Sequence, residues 1–245
     1  MIDRGLSYGD GLFETMRVVS GRCRYLELHH ARMCHGLRRL DIALPDLSER
    51  MLAAVAAADD GVLKFIVTAG DGDGYGRADG APGRVLTCWR PAPPATEDLR
   101  VSLCRTRLAW EPALTGMKHL GRLPQVLARR EVAAAASDEG LMADPEGAWV
   151  CGTQSNLFLR VDGSWFTPRL DRGGVAGVMR RVLITALAPR LVRVDTAMLQ
   201  AADRMLMSNA VRGLQWVSEL DGRQLKVTPE GRKLSELLAP WRLDG

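Results

Sequence analysis

Lysine is scarce in this chain. Of 33 basic side chains in 245 residues, only four are lysine: Lys64, Lys118, Lys226 and Lys233. Positive charge alone is therefore supplied by arginine, and a retained lysine invites a different explanation. Long apolar runs are missing too. No stretch approaches the roughly 20 residues of a bilayer-spanning helix. The first residues lack a basic-then-apolar leader pattern, so a cytoplasmic protein without a membrane partner is the expectation. The five cysteines (Cys23, Cys34, Cys88, Cys104, Cys151) and four histidines (His29, His30, His35, His119) are scattered. No paired metal-ligand spacing occurs, which argues for reduced thiols and against a zinc site. Nor does any basic tract interleave with aromatics, so nucleic acid is not the expected partner of the modest net charge of +4. Local arginines facing a carboxylate or phosphate fit that charge better.

Lys118 stands out among what is present. It lies in the segment Thr115-Gly116-Met117-Lys118-His119-Leu120-Gly121-Arg122, between small and apolar residues. A guanidinium stays protonated, whereas an amine can lose its proton and attack a carbonyl. Apolar burial lowers an amine's pKa and frees its lone pair. The alternative is a lysine at a loop edge with its head in water.

Hydrophobic patterning predicts a first α+β unit over residues 1–90. It has strands at 12–19, 61–68 and 84–89 and helices at 29–40 and 47–57. A glycine-rich run at 70–76 reads as a flexible hairpin or flap, since two aspartates in it argue against an anion. Residues 91–99, opening on a proline-rich stretch, read as a linker. A second unit over 100–245 is predicted to hold strands at 100–107, 141–144, 149–153, 156–161, 164–167, 191–194 and 205–208. Helices are expected at 120–136, after Gly173 and after Pro229, with a hairpin turning at Asp221-Gly222.

Gly173-Gly174-Val175-Ala176-Gly177-Val178-Met179 is a glycine-rich turn entering a helix. Amides at a helix start lack intrahelical partners and favour an anion, although simple helix entry is the competing reading. The loop at Ser208-Asn209-Ala210-Val211 could do likewise. Arg32, one turn beyond His29, is either a phosphate clamp or part of a solvated helix face. Arg105 and Arg107 would share one face of a strand and could meet a dicarboxylate.

Taken in order, these pieces resemble a known family. Residues 3–15 (DRGLSYGDGLFET) look like the entry motif of the class IV aminotransferases, and the helix from His29 to Arg32, Lys118, residues 155–158 (SNLF), residues 174–180 and Asn209-Ala210 follow in the family's order. Residues 116–127 (GMKHLGRLPQVL) and 167–171 (TPRLD) resemble the lyase branch that acts on 4-amino-4-deoxychorismate. The resemblance implies an α+β, fold-type IV enzyme, D-amino acid aminotransferase-like. It would have two domains with pyridoxal 5'-phosphate (PLP) in the cleft between them, as a homodimer. Lys118 would bond the cofactor's aldehyde carbon. Arg32 and the amides of Val178 and Met179 would hold its phosphate, Gly177 would touch the cofactor, and Asn209 and Ala210 would line the phosphate side. Arg122 would touch the ring oxygen, and Arg107, Thr15 and Tyr8 would face substrate. The implied reaction gives 4-aminobenzoate and pyruvate in folate biosynthesis. The alternatives are a D- or branched-chain amino acid aminotransferase of this fold, or a member lacking catalysis that serves as a binding protein.

Two departures from the family pattern stand out. Cys151 occupies the position where a glutamate usually meets the cofactor's pyridine nitrogen. A thiol, with an ordinary pKa of about 8.5, is normally neutral there, unless an electropositive site makes it a thiolate. The chain also starts almost at the entry motif, so the family's short N-terminal strand pair is expected to be missing.

Overall fold

The computed structural model describes residues 2–72, 74–77, 81–94 and 98–239. Its backbone sorts into two compact units. One comprises the residues up to Pro93 together with Met117–Gly121, and the other comprises Pro94–Gly116 with Arg122–Ala239. No helix among the described residues is long and apolar enough to cross a membrane.

The first unit contains β1 (Ile2–Asp3), α1 (Arg4–Tyr8), β2 (Gly11–Val18), α2 (Leu26–Arg39), α3 (Leu47–Ala56), β3 (Gly61–Thr68), β4 (Asp71–Gly72) and β5 (Arg84–Arg90). Strands β2, β3 and β5 form an antiparallel sheet with β3 in the centre. Alternation along β2 sets its two faces. Leu12, Glu14, Met16 and Val18 are buried, while Phe13, Thr15 and Arg17 are half-exposed. Helix α2 lies against β2, burying His29, Met33, Gly36 and Leu37. Gly36 lets the helix approach closely, since a Cβ there would come within 2.6 Å of Leu12 Cδ1. Leu47, Met51 and Val55 recur every fourth residue to bury one stripe of α3.

The segment 117–121 is an added edge of this sheet. Phe13 N donates to Lys118 O at 2.9 Å, Leu120 N donates to Gly11 O at 3.0 Å, and Leu12 bridges His119 antiparallel. It is extended rather than helical, and the helix expected from residue 120 begins at Leu123.

The second unit contains β6 (Asp98–Leu103), a 3-10 turn at Pro112–Leu114, α4 (Leu123–Ala134), β7 (Glu139–Ala143), β8 (Trp149–Gly152), β9 (Asn156–Val161) and β10 (Ser164–Pro168). These are followed by α5 (Val178–Leu187), β11 (Arg190–Val192), α6 (Thr196–Ala201), β12 (Arg204–Asn209), β13 (Gly213–Leu220), β14 (Arg223–Gln224) and α7 (Pro229–Leu237). The strand order β9-β12-β13-β6-β7-β8 returns to β9, because Cys151 of β8 pairs with Asn156. The sheet therefore curls into a six-stranded ring. The same edge of β9 carries β10 further along, and β11 lies beyond β10. Leu99, Val101, Leu141, Ala143, Leu157, Leu159, Met205, Met207 and Val217 come from five ring strands yet share one cluster, which only the inside of a ring allows. The alternate residues Phe158, Leu206 and Trp216 face outward and pack with Leu183 of α5.

The α+β class and nearly all strands agree with the patterning. Strand β6, however, ends at Leu103 rather than Arg107, and it starts at Asp98, inside the expected linker. Arg105 and Arg107 thus do not share a strand face. Arg105 N donates to Glu131 Oε2 at 2.6 Å instead. The missed helix α1 is nucleated by Asp3, whose Oδ1 accepts from Gly5 N at 2.8 Å and Leu6 N at 3.3 Å. At the start of the entry motif Ile2 and Asp3 form a two-residue strand paired with Gly72 and Asp71. The glycine-rich run 70–76 is tethered rather than loose. Arg4 donates to the carbonyls of Gly74, Tyr75 and Gly76 at 2.8, 3.0 and 2.7 Å. Asp73, also in that run, and residues 95–97 of the expected linker lie outside the described residues.

Candidate active site

In the first unit, strand β2 fixes Lys118 through the backbone pairing already described. The lysine Nζ lies 4.2 Å from the centroid of the Phe13 ring, and Lys64 Nζ lies 4.6 Å from the same centroid. Thr15 stands directly opposite Lys64 on this half-exposed face. Lys118, Phe13, Thr15 and Lys64 are therefore neighbours. Tyr8, at the end of α1, packs 5.2 Å from the Tyr75 ring and 5.2 Å from the Arg4 guanidinium.

Arg32 is not on a solvated helix face. Its side chain is only 13% exposed, and it grips Glu14 through two nitrogens, Nε to Oε1 at 2.8 Å and Nη2 to Oε2. His29 Nδ1 meets Glu14 Oε2 at 2.6 Å. Burial works against the charged carboxylate, but Arg32 and His29 outweigh it and hold the Glu14 carboxyl down at about 2. Sequence reading missed Glu14 as a functional residue. The available signal was its phase, since it falls on the apolar face of an alternating strand, where a carboxylate requires a partner.

In the second unit, Gly177 leads into α5. The helix has no side-chain cap and no acidic residue in its first turn. Its first intrahelical bond is from Arg181 N to Gly177 O, so the N–H groups of Val178 and Met179 have no acceptor within the helix. Gly177 must be glycine, since a Cβ would overlap Asn156 Oδ1. Asn156 is buried and donates from Nδ2 to Val175 O at 2.8 Å, holding the turn. Asn209 Oδ1 accepts from Val211 N at 3.0 Å and Arg212 N at 2.8 Å, so this side chain shapes the loop containing Ala210. Arg180 Nε in the first turn of α5 and Ser208 Oγ on the adjacent β12 are among the buried polar atoms that lack a hydrogen-bond partner among the described residues. An uncapped helix start, an unspent arginine nitrogen and an unspent hydroxyl suit a phosphate. Ser208 was not singled out from the sequence, because a hydroxyl in an apolar strand carries no motif.

Cys151 is buried beside Val150, Met142 and Cys104. Burial pushes its thiol up to about 12, Glu139 and Cys104 add to the rise, and Arg122 opposes it. The thiol is therefore neutral at ordinary pH, and the thiolate alternative fails because one nearby arginine does not offset complete desolvation. Next to it, Glu139 anchors the turn from β8 to β9. It accepts from Gly140 N at 2.9 Å, Thr153 N at 3.1 Å, the Thr153 hydroxyl and Ser155 Oγ at 2.7 Å. Arg107 is exposed, with its guanidinium 5.9 Å from the Trp149 ring.

Comparison with known proteins identifies the family. The family model for amino-transferase class IV matches residues 11–220. The crystal structure of 4-amino-4-deoxychorismate lyase from Pseudomonas aeruginosa superposes with a TM-score of 0.89 at 44% identity, over 96% of this chain and 92% of that one. Aminodeoxychorismate lyase of Vibrio harveyi is 31% identical, over 92% of this chain and 88% of the relative. A putative branched-chain-amino-acid aminotransferase of Methanocaldococcus jannaschii is 28% identical, over 96% of this chain and 88% of its own. The chain belongs to the class IV aminotransferases.

Proposed function

We propose that this protein is a PLP-dependent lyase that converts 4-amino-4-deoxychorismate to 4-aminobenzoate and pyruvate in folate biosynthesis. The observation that carries the reading is the registration of Lys118 to β2, which fixes one of only four lysines beside Phe13 and Thr15. The relatives named as lyases supply the substrate.

When bound, PLP supplies an electron sink conjugated to the carbon that bears the substrate's amine. Lys118 would hold the cofactor's aldehyde carbon until the substrate's amine takes its place, and the released neutral amine would then accept the ring proton. Loss of that proton with cleavage of the enolpyruvyl C–O bond makes the ring aromatic. Arg32, Val178 and Met179 hold the phosphate, and Ser208 is suited to join them. Arg122, Gly177, Asn209 and Ala210 line the cofactor, while Arg107, Thr15 and Tyr8 face the substrate. The neutral Cys151 cannot hold a proton on the pyridine nitrogen as a carboxylate would. Aromatisation supplies driving force that transamination lacks, so a weaker sink favours the lyase.

The test is to follow 4-aminobenzoate and pyruvate from 4-amino-4-deoxychorismate, beside keto-acid exchange with D- and branched-chain amino acids. Product formation without exchange is expected. Exchange alone would establish the aminotransferase reading, for which the Methanocaldococcus relative speaks. Purified protein should be yellow, and borohydride should fix the cofactor on Lys118. Colourless protein that PLP cannot reconstitute would favour a binding protein. The same reading makes the enzyme a cytoplasmic homodimer, and light scattering at working concentration checks the dimer.

A further inference from the structure

Glu14 is a carboxylate set among Leu12, Met16 and Val18 on the buried side of β2, and it is 1% exposed. A buried ion pair is weak evidence for stability, because desolvation offsets its attraction. A leucine at this position would bury well, so the carboxylate calls for another role. Its contacts suggest one. Oε1 and Oε2 accept from Nε and Nη2 of Arg32, which is the side-on, two-point grip that fixes a guanidinium's plane as well as its place. His29, itself 1% exposed, meets Oε2 at 2.6 Å and braces the carboxylate from within the same helix. The Nε edge of the fork is thereby committed to Glu14. Any further anion that Arg32 binds must be met by the Nη1 edge, in the plane that Glu14 dictates.

The geometry points to Glu14 as the positioning residue for Arg32, turning the guanidinium so that its outer edge meets the cofactor phosphate. This rests on the reading that Arg32 takes that phosphate. Glu14 directly follows Phe13, whose amide bonds Lys118 O and whose ring packs against Lys118 Nζ. Consecutive residues of β2 therefore set the lysine and the phosphate clamp. The spacing between these two grips is fixed by one covalent step of backbone.

The test compares apoprotein affinity for PLP with affinity for pyridoxal, which lacks the phosphate, in Glu14→Gln, Arg32→Lys and the double variant. Glu14→Gln keeps the shape but turns an amide N–H toward the donors of Arg32. It should weaken PLP about tenfold or more while leaving pyridoxal unchanged, and it should add little in the Arg32→Lys background. If Glu14→Gln weakens both ligands equally, or multiplies with Arg32→Lys, the positioning role is refuted. If Arg32→Lys leaves the PLP-to-pyridoxal ratio unchanged, the phosphate reading of Arg32 fails and takes the proposal with it. If Arg32→Lys lowers the ratio but Glu14→Gln does not, only the positioning role fails. Should Glu14→Gln fail to fold, Glu14→Asp keeps the charge but shortens the reach, and it must show the same selective loss of PLP affinity.

Discussion

Gly177→Ala is a severe test of the anion cradle. The glycine precedes α5 with φ of −65° and ψ of 144°, a backbone any residue adopts, so no dihedral strain is involved. The cost is contact. The added methyl would overlap Asn156 Oδ1, lie 3.2 Å from Asn156 Cγ and lie 3.5 Å from Arg180 Cβ. Asn156 cannot swing aside cheaply, because it is 6% exposed and its Nδ2 holds Val175 O. Overpacking costs about 1–3 kcal/mol, and losing the Asn156 bond adds about 1 kcal/mol. A total of about 2–4 kcal/mol follows, seen as a lower urea midpoint with an unchanged slope. PLP affinity should fall in parallel, since the turn sets the direction of the Val178 and Met179 amides. A double-mutant cycle supplies the mechanism. With Asn156→Ala already in place, the methyl has room, and Gly177→Ala should cost about 1 kcal/mol or less. An unchanged midpoint for Gly177→Ala alone, or equal costs in both backgrounds, would refute the close approach.

Acid should weaken the first unit through Glu14. Its folded pKa of about 2 lies below the reference value of 4.5, so its contribution is complete above pH 4.5 and is lost as pH falls toward 2. Its size is about 3 kcal/mol at one pKa unit per 1.36 kcal/mol, and urea unfolding across that window measures it. Alkylation by iodoacetamide at pH 8 should modify exposed Cys88 in the folded protein and spare Cys151, whose thiol ionises near 12. Peptide mass spectrometry reads this out, and rapid loss of Cys151 would contradict its burial. Arg4→Ala removes the donor to three consecutive carbonyls. Amide exchange at Gly74–Arg77 should then accelerate by about tenfold or more while β3 is unchanged. Glu139→Ala takes the acceptor from Gly140 N and the Thr153 and Ser155 hydroxyls in a buried turn, while Thr153 N keeps Gly140 O, and it should cost about 3–5 kcal/mol, read from urea midpoints.

Local rules explain what could be read in advance. β3 runs from Gly61 to Thr68 as its β-branched sequence dictates, and β9 runs from Asn156 to Val161 into an Asp-Gly turn. Helix α5 starts just after the glycines that make its entry. The failures are long-range. Nothing near Arg105 or Arg107 says that the strand stops at Leu103, because the cause is Glu131 on α4, which captures Arg105 N and Thr106 N. The glycine run at 70–76 looks loose in isolation and is held by partners some seventy residues away, Arg4 on its carbonyls and β1 beside Asp71 and Gly72. Lys118 was legible by scarcity and motif, but its attachment to β2 was not, since an extended segment shows no partner in sequence. Cys151 was visible as an anomaly. Its neutrality required its burial.

The ring of six strands closes at the single pair Cys151 and Asn156. That seam joins two backbones, and the Glu139 carboxylate ties the turn between them. Residue 151 therefore enters the seam through its backbone alone, while the side chain of residue 156 also sits where a Gly177 Cβ would stand. The closure sets side by side a residue that gives the seam only its backbone and one whose side chain, through Val175 O, also fixes the entry to α5.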